Sequence, residues 1–210
     1  MAKLKINISR RIVLIAAILL VLAGYVSYQI FFAPKPITSW DYGGRVLHFR
    51  ADLREADKVP VYPGEMQVYL DTMHPLAKNV TIVYKDTGDD EYYSVEAFEI
   101  TYKMKIAYMN LVGTDIEGKT SKVPTFNAEA VDQYANLPGK IQNPIIALVH
   151  PVYANETAVR NEGHVTYISG ETFEQLDLAT VKFLMIVLGI DIEQIGVGQS
   201  GSSGACEPSA

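Results

Sequence analysis

The sequence predicts an α/β fold: one extracytoplasmic domain with a mixed sheet covered by helices, carried on an N-terminal transmembrane helix. Three observations predict it. An uncharged apolar run at 12–32 opens the chain behind a basic stub. Beyond it, β-branched stretches alternate with segments of helical period. Near the C-terminal end, two strand-like stretches are joined by a tight turn, which adds an antiparallel pair to a sheet built from strand–helix alternation.

The first eleven residues hold Lys3, Lys5, Arg10 and Arg11 and no acid. The 21 uncharged residues after them, at ~1.5 Å rise each, roughly match a hydrocarbon core of ~30 Å. The positive-inside rule then leaves the N-terminus in the cytoplasm and everything past residue 33 outside. Tyr25, Tyr28 and Trp40 are the interfacial anchors of this reading. A cleaved signal peptide is the competing one, with Val21-Leu22-Ala23 as cleavage site, but the apolar run is longer than the usual signal core. Residues 33–44, with two prolines and a glycine pair, read as a stiff spacer.

The domain is expected over 45–192. "RVLHFRA" alternates as a strand, with Val46 and His48 on one side and Leu47 and Phe49 on the other. Between Pro63 and Pro75, the residues Met66, Tyr69, Leu70 and Met73 recur at helical spacing. "NVTIVYKD" is rich in strand formers. A turn and an acidic helix start come next, where Asp89, Asp90 and Glu91 suit the positive end of the dipole. The long helix after them is expected to bury Tyr92, Val95, Phe98 or Glu99, Tyr102, Ile106 and Met109. From 111 to 143 the signal weakens to a turn-rich stretch and one short helix, "AEAVDQYAN". "IIALV", "TAVR" and "HVTYISG" then read as strands, the last two joined by the hairpin signal "NEG". A final helix starts at the N-cap Thr172 and stops at Gly189. Its second half is apolar on every side, so it is expected to be buried all round. Residues 193–210 are a Gly/Ser-rich tail expected to be disordered.

All 24 acids lie past the apolar run with 14 of the 18 bases, a net charge of −10. That excludes a nucleic-acid partner, which needs a basic face. The one cysteine, Cys206, sits in the tail, so no intramolecular disulfide can form and the core alone must stabilise the domain. No cofactor is expected: "GVGQSG" matches a dinucleotide fingerprint in spelling but neither follows a strand nor opens a helix.

Two loops beyond strand ends carry chemistry, where α/β sheets place ligands. In "HPVYANET", His150 is the acid–base candidate, Glu156 its orienting carboxylate, and Asn155 and Thr157 the binding groups. Against this, Pro151 simply ends a strand. Asn155 also heads a glycosylation sequon, as does Asn79 at the start of a strand. In "KDTGDDE", the residues Asp86, Asp89, Asp90 and Glu91 are candidates for a calcium ion, against the plainer reading of a solvated turn. The Asp-Thr-Gly triplet has the wrong neighbours for an aspartic protease: Lys85 precedes it and Asp89 comes after. The four histidines show no metal-ligand spacing, and the exposed tyrosines of the long helix offer stacking faces for sugars, with core packing as the default.

"HFRADLREADKVPVYPGE", "VEAFEITYKMKIAY" and "DLATVKFLMIVLGI" together resemble uncharacterised single-pass membrane proteins of archaea. The resemblance covers most of 45–190 and implies the anchored topology and a cell-surface setting; it carries no catalytic residue with it. The expected function is therefore binding or assembly at the cell surface, with the lipid bilayer and a membrane or envelope protein as partners. The alternative is a membrane-tethered hydrolase built around His150 and Glu156.

Overall fold

The computed structural model describes residues 18, 38–123 and 137–192. The chain divides into two compact units, Met1–Lys35 and Pro36–Ala210, and every strand described belongs to the second. Among the described residues no helix is long and apolar enough to cross a membrane. The expected anchor at 12–32 (Ile18 apart), the short helix at 128–136 and the tail at 193–210 lie outside them.

The described chain of this unit begins with a hairpin, β1 (Thr38–Tyr42) and β2 (Arg45–Phe49), paired antiparallel. The second half of the expected spacer is thus a strand. As the alternation predicts, Leu47 and Phe49 are buried while Val46 and His48 are exposed. A short helix, α1 (Leu53–Asp57), comes next; the Asp52 carboxylate caps it by accepting from the backbone N–H groups of Arg54 and Glu55. Then come β3 (Val61–Tyr62), α2 (Glu65–Thr72), β4 (Asn79–Lys85), α3 (Asp90–Ala107), β5 (Glu117–Val123), β6 (Ile145–Val149), β7 (Ala158–Glu162), β8 (Val165–Ser169) and α4 (Phe173–Leu188).

Six strands form one mixed sheet in the order β3-β7-β8-β6-β4-β5. β8, β6, β4 and β5 run parallel, while β7 is antiparallel to β8 and carries β3 beside it. The central strands β4 and β6 are near-continuous apolar runs, as strands covered on both faces must be. The main core lies on one face, where Val80, Ile82, Ile146, Leu148, Val159 and Ile168 meet the helices and the β2 residues Leu47 and Phe49. A smaller cluster of Val83, Ile145, Ala147 and Val165 lies on the other.

The C-terminal helix agrees closely with expectation. The Thr172 hydroxyl accepts from the Gln175 N–H at 3.2 Å, Gly189 ends the helix at φ 65°, and every residue from 179 to 188 is buried. Two other helices have the expected period but are turned only in part to the expected side. In α3 the buried residues are Tyr93, Glu96, Ala97, Ile100, Lys103, Met104, Ile106 and Ala107. Of the residues expected inside, Ile106 is buried and Tyr92 half-buried, while Val95, Phe98, Tyr102 and Met109 face outward. In α2 the stripe read from sequence divides: Met73 is buried and Tyr69 half-buried, Met66 and Leu70 are exposed, and Val68 and Thr72 are buried beside them. The strand β5 was hidden in the turn-rich stretch. Its residues Glu117 to Lys122 are all exposed, so no apolar alternation marks it.

Candidate functional site

β4 leads through α3 to β5 on one side, while the chain beyond β6 goes to β7 and β8 on the other. The crevice between the C-terminal ends of β4 and β6 is therefore the topological switch point. The two loops that border it are the two singled out from sequence, 86–89 and 150–157. The apolar runs of β4 and β6 end there because Lys85, Asp86, His150 and Pro151 supply polar groups and a break in the ladder.

Two bonds hold the 150–157 loop across the crevice, one to the 86–89 loop and one to the end of β4. On the helix side, His150 Nε2 lies 3.0 Å from Asp89 Oδ2. The other ring nitrogen, Nδ1, accepts from the Val152 N–H at 3.1 Å and so caps a single 3₁₀ turn, Pro151–Tyr153. An accepting Nδ1 leaves the ring proton on Nε2, so His150 donates to Asp89 as a neutral imidazole. The rings of Tyr93, Phe173 and Tyr153 surround it, with centroids 6.1, 5.5 and 5.8 Å away. On the opposite side, Lys85, only 4% exposed, donates to the Tyr153 hydroxyl at 2.7 Å and lies 4.0 Å from that ring's centroid.

The pairing differs from the one expected from sequence. A general base needs one nitrogen for its orienting carboxylate and another for substrate. Here one nitrogen holds the carboxylate and the other holds the backbone. Glu156 is not the partner of His150; it is paired with Arg160, whose guanidinium lies 4.6 Å over the Tyr62 ring. Thr157 accepts from the Glu171 N–H at 3.4 Å, and Asn155 is exposed on the loop surface. Asn79 is half-buried at the first position of β4, opposite Glu117.

The acidic loop is likewise dispersed. Asp89 turns to His150 and to the Thr87 hydroxyl, Asp90 and Asp86 turn to Lys122 at 2.6 and 3.9 Å, and Glu91 is exposed. Among the described residues no group of three or more His, Cys, Asp or Glu is arranged to hold a metal ion.

A second polar cluster escaped the sequence reading. Glu96, 1% exposed, pairs with Arg50 just past β2, and Glu99 pairs with the buried Lys103 one turn on. The Tyr92 hydroxyl donates to Asp177 of α4 at 2.5 Å, and Arg50 stacks 5.6 Å from the Tyr92 ring. Burial raises the Glu96 carboxyl from 4.5 to about 8, against the pull of Arg50 and with help from Asp177 and Glu99. Burial lowers the Lys103 ammonium, against the pull of Glu99. The lysine also lies 4.1 Å over the Phe49 ring. The available signal was Glu96 and Lys103 seven residues apart, on one face of a helix otherwise apolar there.

The unclosed surface lies elsewhere. Phe98 is 73% exposed, its ring lies 6.2 Å from that of Tyr102 at an interplanar angle of 7°, Val95 is exposed on the turn before, and Met109 and Leu111 are exposed in the π-helical turn Tyr108–Val112 that continues α3. Below Phe98, a groove of about 510 Å³ lies between α3 and β5, lined by Tyr84, Ser94, Ala97, Thr101, Gly118 and Thr120 among others. Comparison with known proteins adds nothing to this geometry: no family model, curated protein or solved structure matches the chain.

Proposed function

We propose that the domain is a binding or assembly module, held outside a membrane by residues 12–32, which docks a protein partner through the outward side of α3. The observation that carries this reading is the exposed apolar group Val95, Phe98 and Tyr102 on α3, with Met109 and Leu111 exposed in the turn after it, on a domain whose other described long helix is sealed in. Contiguous exposed apolar surface marks interaction sites, and aromatic anchors dominate binding energy where they become buried. A tether of this length keeps the face close to the bilayer, so the partner is a membrane or envelope protein. The crevice at the switch point supports the same view from the other direction, because its histidine and lysine are both committed to internal bonds.

The test is the migration of the full chain on native gels after mild detergent extraction. The wild-type chain is expected in a complex larger than the bait, and Phe98→Asp in the bait alone with unchanged thermal stability. A wild-type chain that migrates by itself removes the reading. The hydrolase alternative loses the pairing it was built on, since Glu156 is turned to Arg160 and Asp89 reaches His150 instead.

A further inference from the structure

β5 is the last described strand on its side of the sheet, and no described strand pairs with its outer edge. The Glu117 N–H donates to the Lys78 carbonyl, on the β4 side. Backbone groups alternate sides along a strand. The N–H and C=O groups of Gly118, Thr120 and Lys122 therefore point away from β4. Gly118 is exposed, and with no side chain that exposure belongs to the backbone. The same three residues line the groove beneath Phe98, so their side-chain positions lie on the α3 side. The helix approaches closely here: a Cβ on Gly118 would lie 2.1 Å from Thr101 Cγ2. An open row of main-chain donors and acceptors thus runs directly under an exposed aromatic overhang.

We infer that this edge is where a protein partner binds, by adding an extended, acidic segment as a seventh strand. The inference rests on the binding reading above and specifies the partner's form. An open ladder edge is satisfied only by another strand. The partner's alternate residues would enter the groove under Phe98, which takes small apolar side chains. Its other residues would face the side of Lys119, which is exposed and has no ion-pair partner among the described residues. That lysine, followed by Ser121 on the same side, favours an acidic side chain opposite it, and Glu117 at the start of the strand is the like charge the partner must leave uncovered. A second copy of this chain is the poorer occupant, because it brings another Lys119 and Lys122 to the edge, and edge lysines discourage self-pairing.

The experiment uses the full chain in detergent micelles and the peptide Glu-Val-Glu-Val-Glu-Val-Glu as probe, with Lys-Val-Lys-Val-Lys-Val-Lys as control. Amide exchange is read residue by residue. The acidic peptide is expected to slow Gly118, Thr120 and Lys122 about tenfold while leaving Glu117, Lys119 and Ser121 unchanged. Thr120→Pro removes one outward N–H and is expected to weaken binding about tenfold, whereas Thr120→Ala, which keeps that N–H, is expected to bind like wild type. Lys119→Glu is expected to exchange the preference between the two peptides. Equal binding of both peptides by the wild-type chain, or protection without the alternating pattern, overturns the inference. So does disulfide cross-linking between copies of a Thr120→Cys, Cys206→Ser chain in membranes, which would place a second copy at the edge. Loss of the complex in Phe98→Asp without protection at β5 would leave the binding reading standing and remove the edge alone.

Discussion

α3 and α4 pack against one another on the same face of the sheet, yet they treat their apolar residues in opposite ways. α4 is buried from residue 179 to 188 on every side, and its one charge in that stretch, Lys182, reaches out to Asp57 and Glu65 at 2.7 Å each. α3 buries ionisable Glu96 and Lys103 and turns Val95, Phe98 and Tyr102 to the outside. A helix that seals its apolar surface is part of the core. A helix that spends its inner face on a satisfied ionic network, and leaves aromatics outside, has surface still to bury.

Substitutions at equivalent bulk should separate the two helices. Phe183→Ala in α4 removes a fully buried ring and is expected to cost about 3–5 kcal/mol in chemical denaturation. A result under about 1 kcal/mol would put α4 outside the core. Gly118→Val pushes β5 off α3 at the Thr101 contact, and a loss of about 1–3 kcal/mol is expected. No loss there would mean that the two elements are not seated as described.

The inner face of α3 is tested by pH. Glu96 holds its proton more tightly folded than unfolded, so its contribution to stability is complete below 4.5 and is lost as pH rises toward about 8. Wild-type melting temperature should therefore fall across that window more steeply than that of Glu96→Gln; parallel curves would show the carboxyl to be ionised throughout. The smallest effect is expected on the outer face. Phe98→Ala should change stability by no more than about 0.5 kcal/mol, and a larger loss would mean that the ring already packs within its own chain.

Most elements were legible in the sequence, and the reasons differ for those that were not. The hairpin of β7 and β8 and the burial of α4 rest on local signals, a tight turn and an apolar run, that no tertiary contact overrides. Apolar periodicity gave α2 and α3 their helical form but only part of their inward side (Met73 and Ile106), because it groups residues by face without saying which face meets the sheet. In α3 the inward side includes Glu96, whose partner Arg50 lies 46 residues away along the chain. β5 was invisible because an exposed edge strand, "EGKTSKV", needs no apolar alternation; it is held by its pairing with β4. The switch-point loops were located correctly from the general rule for α/β sheets. Their pairing was not, since Asp89 and not Glu156 reaches His150, and the separation of 61 residues leaves no trace in sequence.

The most direct measurement is hydroxyl-radical footprinting of the full chain, first in native membranes and then after purification in detergent. If the outer side of α3 is a docking face, Phe98, Tyr102 and Met109 will be protected in membranes and oxidised once purified, while exposed residues away from that face, such as Leu76 and Val152, react equally in both. Equal oxidation of Phe98 and Tyr102 in the two preparations would contradict the account.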